Sequence, residues 1–251
     1  MGLQSHIRAK GKGKEALGFM TRFVDSKLTL REWLPLIGIT VSAFIFNTSE
    51  FIPVGLLTGI GASFGTSEGV TGLLLSVYAW AVMLLSLPLM ILGARVAFRP
   101  LMLLVIGVFC AGQALSALAP SYGLLMAARL VVACAHSVFW AIAAPVAVKV
   151  VDERHAPMAV SAVVTGSALA MVVGLPLGRM VGLWLGWRQT FGCVCAVSAL
   201  VLAYLAVVFP KIPASKPFTL KQLPSILQNK VLMGIFIVTA LYAMGYYTGY
   251  S

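Results

Sequence analysis

Three ionisable side chains, Glu50, Arg129 and His136, fall inside long apolar runs of the sequence. A charge at the centre of a membrane helix costs about 2.5–3.5 kcal/mol on insertion scales, so each such residue marks either chemistry or a helix-to-helix lock. Their spacing groups them. Asn47 and Glu50 are three residues apart and share one side of a helix. Arg129, His136 and Trp140 are seven and four apart and form one stripe, with Ala133 leaving room between them. An apolar cavity favours the protonated form of a carboxylic acid, and a nearby guanidinium favours the ionised form. Moving a carboxylate in and out of such a pairing loads and releases a proton, which makes Glu50, Arg129 and His136 the candidates for proton coupling. A buried Glu–Arg pair serves equally to lock two helices, and His136 fits a helix interface as well as a proton pathway. Asn47, Tyr78 and Trp140 are the candidates for a substrate cavity: the two aromatic rings suit a sugar or a drug, and also suit ordinary packing.

These residues need a membrane to sit in. Hydrophobic residues make up 60% of the 251-residue chain and charged residues only 10%, against roughly a quarter charged in a soluble domain. The mean hydropathy is +0.98. Lipid is the solvent that accepts such runs. The net charge of +11 does not mark a nucleic-acid partner, because the basic residues lie in tails and loops rather than along a soluble face.

Helical spans of about 20 residues are expected near 34–57, 70–93, 101–119, 123–147, 157–178, 190–209 and 231–250. Turn-forming pairs separate them, including Arg99-Pro100, Pro120-Ser121 and Gly186-Trp187. Basic residues then set the orientation. With the tail inside, one side holds Arg8, Lys10, Lys12, Lys14, Arg22, Lys27, Arg31, Arg95, Arg99, Lys149, Arg154, Lys211, Lys216, Lys221 and Lys230. The other holds Arg179 and Arg188, both expected in the connection between spans five and six. The amino terminus is therefore expected in the cytoplasm, with Met1 or Met20 as the start. On this count Glu50 lies roughly 10 Å below the outer boundary, at 1.5 Å per residue from Leu57, and Arg129 lies at nearly the same depth. The two are expected to meet.

The fifth span carries small residues at every fourth position, Ala162, Gly166, Ala170, Gly174 and Gly178, with Pro176 expected to kink its outer end. Such a groove admits the backbone of another helix. Cys110, Cys134, Cys193 and Cys195 all fall in apolar segments and read as packing residues, not as a disulfide framework or a metal site. No metal or cofactor is expected. An intramembrane enzyme would rest on His136 and Glu50 alone, with no nucleophile, ligand cluster or phosphate loop beside them, and the chain is not read as an enzyme.

The run from Ala43 through Asn47, Glu50 and Pro53 to Leu57 resembles the first helix of the sugar efflux transporters, in the drug:proton antiporter branch of the major facilitator superfamily. Tyr78-Ala79-Trp80, the segment from Ala135 to Trp140, Gly174-Leu175-Pro176-Leu177-Gly178-Arg179 and Gly186-Trp187-Arg188 resemble the same group in order and spacing, and Tyr246 to Ser251 resembles its seventh helix. The resemblance covers about residues 33–251. It implies that Arg129 is the fourth-helix arginine associated with proton coupling, that Glu50 is the first-helix acid of the branch, and that Gly166, Gly174, Pro176 and Gly178 form the fifth-helix antiporter motif. Two positions depart from the pattern. Leu175 stands where a glycine is common, and Ala97, in the loop after the second helix, stands where an acid is usual.

The expected fold is an all-α polytopic membrane protein: the six-helix amino-terminal lobe of a major facilitator superfamily fold plus a seventh helix, truncated before a second lobe. Residues 1–32 are expected as a basic cytoplasmic tail, 33–209 as the lobe, 210–230 as a cytoplasmic linker and 231–251 as the first helix of a missing lobe. The expected function is proton-coupled efflux of sugars or related compounds, with the lipid bilayer, protons and a small-molecule substrate as partners. A multidrug exporter and a non-transporting membrane fragment are the alternatives, and self-association is left open. The expected location is the bacterial inner membrane.

Overall fold

A computed structural model describes residues 28–214 and 223–248. The basic tail through Lys27, Lys216 and Lys221 of the linker, and the last three residues lie outside the described residues, as do the side chains of Tyr246, Tyr247 and Thr248.

The described chain is helical. It runs α1 (Leu30–Phe51), a 3₁₀ turn (Ile52–Leu56), α2 (Leu57–Phe64), α3 (Glu68–Gly93), α4 (Phe98–Leu118), α5 (Tyr122–Lys149), a short 3₁₀ turn (Glu153–His155), α6 (Ala156–Leu169), a π turn (Ala170–Gly174), α7 (Leu175–Leu185), α8 (Trp187–Val208), α9 (Leu223–Leu227) and α10 (Lys230–Thr248). Among the described residues, six stretches are long and apolar enough to cross a bilayer: Leu30–Phe64, Glu68–Gly93, Phe98–Leu118, Tyr122–Lys149, Glu153–Leu185 and Trp187–Val208. The seventh expected span corresponds to α10, whose shorter apolar part covers Lys230–Tyr242.

Where boundaries differ from the sequence reading, proline and glycine chemistry explains why. Pro100 sits in the first turn of α4, where a missing N–H costs nothing, so Arg99-Pro100 starts a helix rather than separating two. The first span does not end at Leu57: it tightens into the 3₁₀ turn at Pro53 and continues as α2 to Phe64, ending in the left-handed Gly65. The fifth span likewise continues to Leu185. This puts Arg179 inside α7, not in a loop, and reduces the connection to Gly186, whose φ of 93° suits glycine.

Helix pairs α4 with α8, α4 with α5, α3 with α5, and α1 with α6 make the main contacts. At the centre, Phe46 of α1 stacks between Phe109 of α4 at 3.9 Å and Phe139 of α5 at 4.2 Å. The opposite faces are apolar and open, with Trp184 and Val207 about four-fifths exposed. That inversion of the soluble pattern is what a lipid-facing surface requires.

The small-residue stripe packs the fifth span onto the first. A methyl group on Gly166 would strike the Thr40 carbonyl, on Gly174 the Thr48 hydroxyl, on Gly178 Ile52, and on Gly182 Leu56. Both partner series advance in step, so the two spans run parallel. Ala170 is fully buried in the same seam. Gly182 extends the stripe one turn beyond the sequence reading.

Candidate functional site

The polar centre of the lobe is built where α1, α3, α4 and α5 meet. Its first determinant is Pro53. In an unbroken α-helix the carbonyl of Ser49 would accept the N–H of residue 53, and proline has none. The preceding bond is made, Ile52 N–H to Thr48 O. Arg129 takes the vacated acceptor: its Nη2 donates to Ser49 O at 3.2 Å and its Nη1 to Ser49 Oγ at 3.4 Å. Arg129 is only 1% exposed, and its guanidinium carbon lies 4.6 Å over the ring of Tyr78 and 5.7 Å over that of Phe191. An aromatic face offers a buried cation what water no longer does.

The next residue along α1, Glu50, turns elsewhere. Its Oε2 lies 3.5 Å from Nε2 of His136, a buried ring whose Nδ1 has no hydrogen-bond partner. The expected direct Glu50–Arg129 pair is therefore corrected. The charges of the two residues do interact through space. Helix rotation gives the carboxylate to His136, while the Ser49 main chain, one residue earlier, receives the arginine. The first helix runs on beyond Leu57 to Phe64.

His136 gathers the aromatic candidates. Tyr78 stands edge-on to it at 5.7 Å, Trp140 lies 6.1 Å away, and Trp140 in turn packs edge-on to Phe139. Asn47 separates from this group. Its Nδ2 donates to both the carbonyl and the hydroxyl of Ser167 at 3.0 Å, so it joins the first span to the fifth. Three residues along an α-helix advance 300°, which still leaves room for two neighbours to point at different partners.

A cavity of about 460 Å³ opens beyond Glu50 along the first span, between its Phe51, Val54 and Gly55 and Met171, Pro176 and Arg179 of the fifth span. Its lining includes none of Asn47, Tyr78 or Trp140. The π turn makes part of this wall. Because Pro176 has no N–H and crowds the carbonyl four residues earlier, the turn before it widens, and Leu175 N–H reaches back to Ala170 O. The expected kink is thus a π turn placed just before the proline.

Gln113 of α4 is fully buried, and its Nε2 donates to Ser49 Oγ. Sequence reasoning passed over it and over Ser49. The available signal was an amide in the middle of an apolar span, and a proline four residues after a serine. At the far end of α1, Glu32 was missed as well. Its Oε2 accepts from the N–H and hydroxyl of Thr29 at 2.8 Å, while its Oε1 accepts from Asp152 N–H at 2.8 Å and faces His155 Nδ1 at 3.1 Å. Glu32, Asp152 and His155 bring potential ligand atoms within 4.8 Å of one another. The hydrogen bonds already occupy both oxygens of Glu32, and Arg154 pairs with Asp152 at 2.8 Å, so the cluster acts as a latch between the first span and the turn that opens the fifth. Among the cysteines, Cys110 and Cys195 touch at 3.6 Å across α4 and α8 as free thiols.

The geometry is that of a transmembrane helical lobe with a buried charged centre and a close-packed parallel seam. The sequence model of the Major Facilitator Superfamily matches residues 39–251, which covers every element of that centre and seam. The chain belongs to the major facilitator superfamily, whose members are membrane transporters rather than enzymes.

Proposed function

We propose that the protein is a proton-coupled antiporter that exports sugars or related small compounds by alternating access, in a bacterial inner membrane and with its amino terminus in the cytoplasm. The observation that carries this reading is the approach of Glu50 Oε2 to His136 Nε2 at 3.5 Å, beside a buried Arg129 that is held on the adjacent residue. An ionised Glu50 needs a donor or a cation in this apolar surrounding. When Glu50 binds a proton it becomes neutral and no longer needs that partner, so the contact between α1 and α5 loosens. Release of the same proton on the other side restores it. Each cycle would thus carry a proton from water on one side, through Glu50, to water on the other and leave Glu50 ionised again, with His136 beside the ionised carboxylate and Arg129 setting the field around it.

The parallel seam of the first and fifth spans supports the motion, because backbone packing through glycine keeps the lobe stiff while it rocks. The cavity beyond Glu50 offers a chamber of ligand size, and Tyr78 and Trp140 near His136 offer rings for a sugar face. The orientation follows from the basic residues of the inner segments, and moving Arg179 into α7 leaves that asymmetry intact.

The test is efflux from vesicles that hold the full chain and a radiolabelled sugar. Export is expected to rise with an imposed pH gradient in the wild type and to lose that dependence in Glu50→Gln. Equal gradient dependence in both would remove the proposal. A labelled drug cation exported in place of every sugar tried would keep the coupling and change the substrate class.

A further inference from the structure

Gln113 is a polar group that the coupling scheme leaves without a task, and it sits where a polar group is expensive. It is fully buried on α4, and burying an amide without full hydrogen bonding costs free energy that leucine would not. Its Nε2 donates to Ser49 Oγ, the same oxygen that receives Arg129 Nη1 at 3.4 Å. Its Oε1 and the Nε of Arg129 are both buried without a hydrogen-bond partner among the described residues. Gln113, Ser49 and Arg129 therefore form one buried polar cluster with donor and acceptor capacity to spare, one residue away from Glu50.

Two acceptors compete for that guanidinium. Ser49 offers a carbonyl, fixed by the backbone of α1, and a hydroxyl that Gln113 Nε2 engages. The Glu50 carboxylate offers a full negative charge and already attracts Arg129 through space. A bidentate Arg–carboxylate pair is the stronger interaction wherever geometry permits it. What keeps the arginine on Ser49 is the orientation of the serine hydroxyl, and Gln113 is the side chain that fixes it. The ionisable groups that act on Glu50 among the described residues are Arg129 and His136 from α5, and Tyr78 from α3 packs against both of them. From the fifth span Arg179 lays its stem along Gly55, at 3.5 Å from where a Cβ would be. From α4 the neutral Gln113 stands behind Ser49.

We propose that Gln113 is a positioning residue for proton coupling: acting through Ser49, it holds Arg129 beside Glu50 without letting the two pair, and so keeps Glu50 able to take up a proton. The inference rests on the reading of Glu50 as the proton carrier.

The test is a pH titration of the full chain in lipid vesicles, followed by the infrared band of protonated carboxyl groups and assigned by its loss in Glu50→Gln. In Gln113→Leu the pH midpoint of the Glu50 band is expected to fall by about one unit or more, because the freed arginine moves onto the carboxylate and stabilises its ionised form. Gln113→Met, which keeps the length of the side chain, and Ser49→Ala are expected to move it in the same direction. A midpoint unchanged in folded Gln113→Leu and Gln113→Met overturns the inference; if neither folds, an unchanged midpoint in Ser49→Ala does so. If Glu50→Gln removes no titrating band, the proton-carrier reading itself fails and this inference falls with it, whereas an unmoved midpoint removes the role of Gln113 alone.

Discussion

Arg129 of α5 donates to the main-chain oxygen of Ser49 on α1 at 3.2 Å, and it finds that oxygen unoccupied because Pro53 has no N–H to offer it. The centre of the lobe thus depends on a backbone defect. Pro53→Ala would return the missing donor and let α1 continue as a regular helix through the 3₁₀ turn. Its thermal stability is expected to change little, within about 1 kcal/mol, since a regained helical bond offsets a weakened arginine contact. Gradient-driven transport is expected to drop, because the arginine loses its exclusive acceptor. Thermal unfolding in detergent read beside vesicle transport separates the two effects. A variant that transports like the wild type would show that the proline serves only the helix.

The glycine seam makes a sharper stability prediction. A methyl group at Gly174 would meet the Thr48 hydroxyl, and at Gly166 the Thr40 carbonyl, with no flexible side-chain end to move aside at the latter. Gly166→Ala is expected to cost about 1–3 kcal/mol, as overpacking does in close-packed interiors. Gly72→Ala is the control: nothing lies within 4 Å of its Cβ position in the second turn of α3. There alanine is expected to be neutral or to stabilise by up to about 1 kcal/mol through helix propensity. Melting temperatures of both variants, measured side by side, check the contrast.

Much of this architecture was legible in the sequence, for reasons that also mark where the reading ran out. Apolar length pointed to seven spans, six of which are long and apolar enough among the described residues, and a four-residue period of small residues pointed to the seam, because both are local patterns that lipid and backbone contact impose directly. The side-chain partners of Glu50 and Asn47 were not legible. Both sit on one side of α1 in projection, yet Glu50 faces His136 on α5 and Asn47 bonds Ser167 on α6, a choice set by helix rotation and by the lobe's assembly. The roles of Ser49 and Gln113 were hidden for a similar reason, since neutral polar residues in a span announce no partner. Helix ends were misplaced where proline interrupts without terminating, as at Pro53 and Pro176, because a tightened or widened turn absorbs the lost hydrogen bond.

At the opposite end of α1, the Glu32 latch predicts a local effect. In Glu32→Ala the N–H groups of Thr29 and Asp152 and the ring of His155 all lose their acceptor at once. The loss is expected to be about 1 kcal/mol, because His155 is buried whereas Thr29 and Asp152 are exposed and their donors can turn to water. Hydrogen exchange gives the site-specific check. The amides of Thr29 and Asp152 are expected to exchange faster, while those at the centre of α4, remote from the latch, keep their protection. Equal exchange at Asp152 in both proteins would mean that water replaces the carboxylate freely.

Tyr78 and Arg129 carry the last prediction, which asks what the ring contributes. The guanidinium carbon stands 4.6 Å above the ring, and the arginine is 1% exposed, so the face of the aromatic group takes the place of solvent on that side. Tyr78→Phe keeps the face and is expected to retain most of the stability and the transport. Tyr78→Leu stays apolar but loses the quadrupole and part of the packing, and a desolvated cation–π contact alone is worth about 2 kcal/mol, so a loss of at least that order is expected. Arg129→Lys tests the other partner. A lysine keeps the charge, but its compact ammonium lacks the planar fork that reaches the Ser49 carbonyl and hydroxyl together while lying flat on the ring. It is therefore expected to lose gradient coupling even where the protein folds. Combining Tyr78→Leu with Arg129→Lys closes the cycle: if the ring acts through the arginine, the double variant is less destabilised than the sum of the two single changes. Strict additivity would separate the two residues and leave Tyr78 as packing alone.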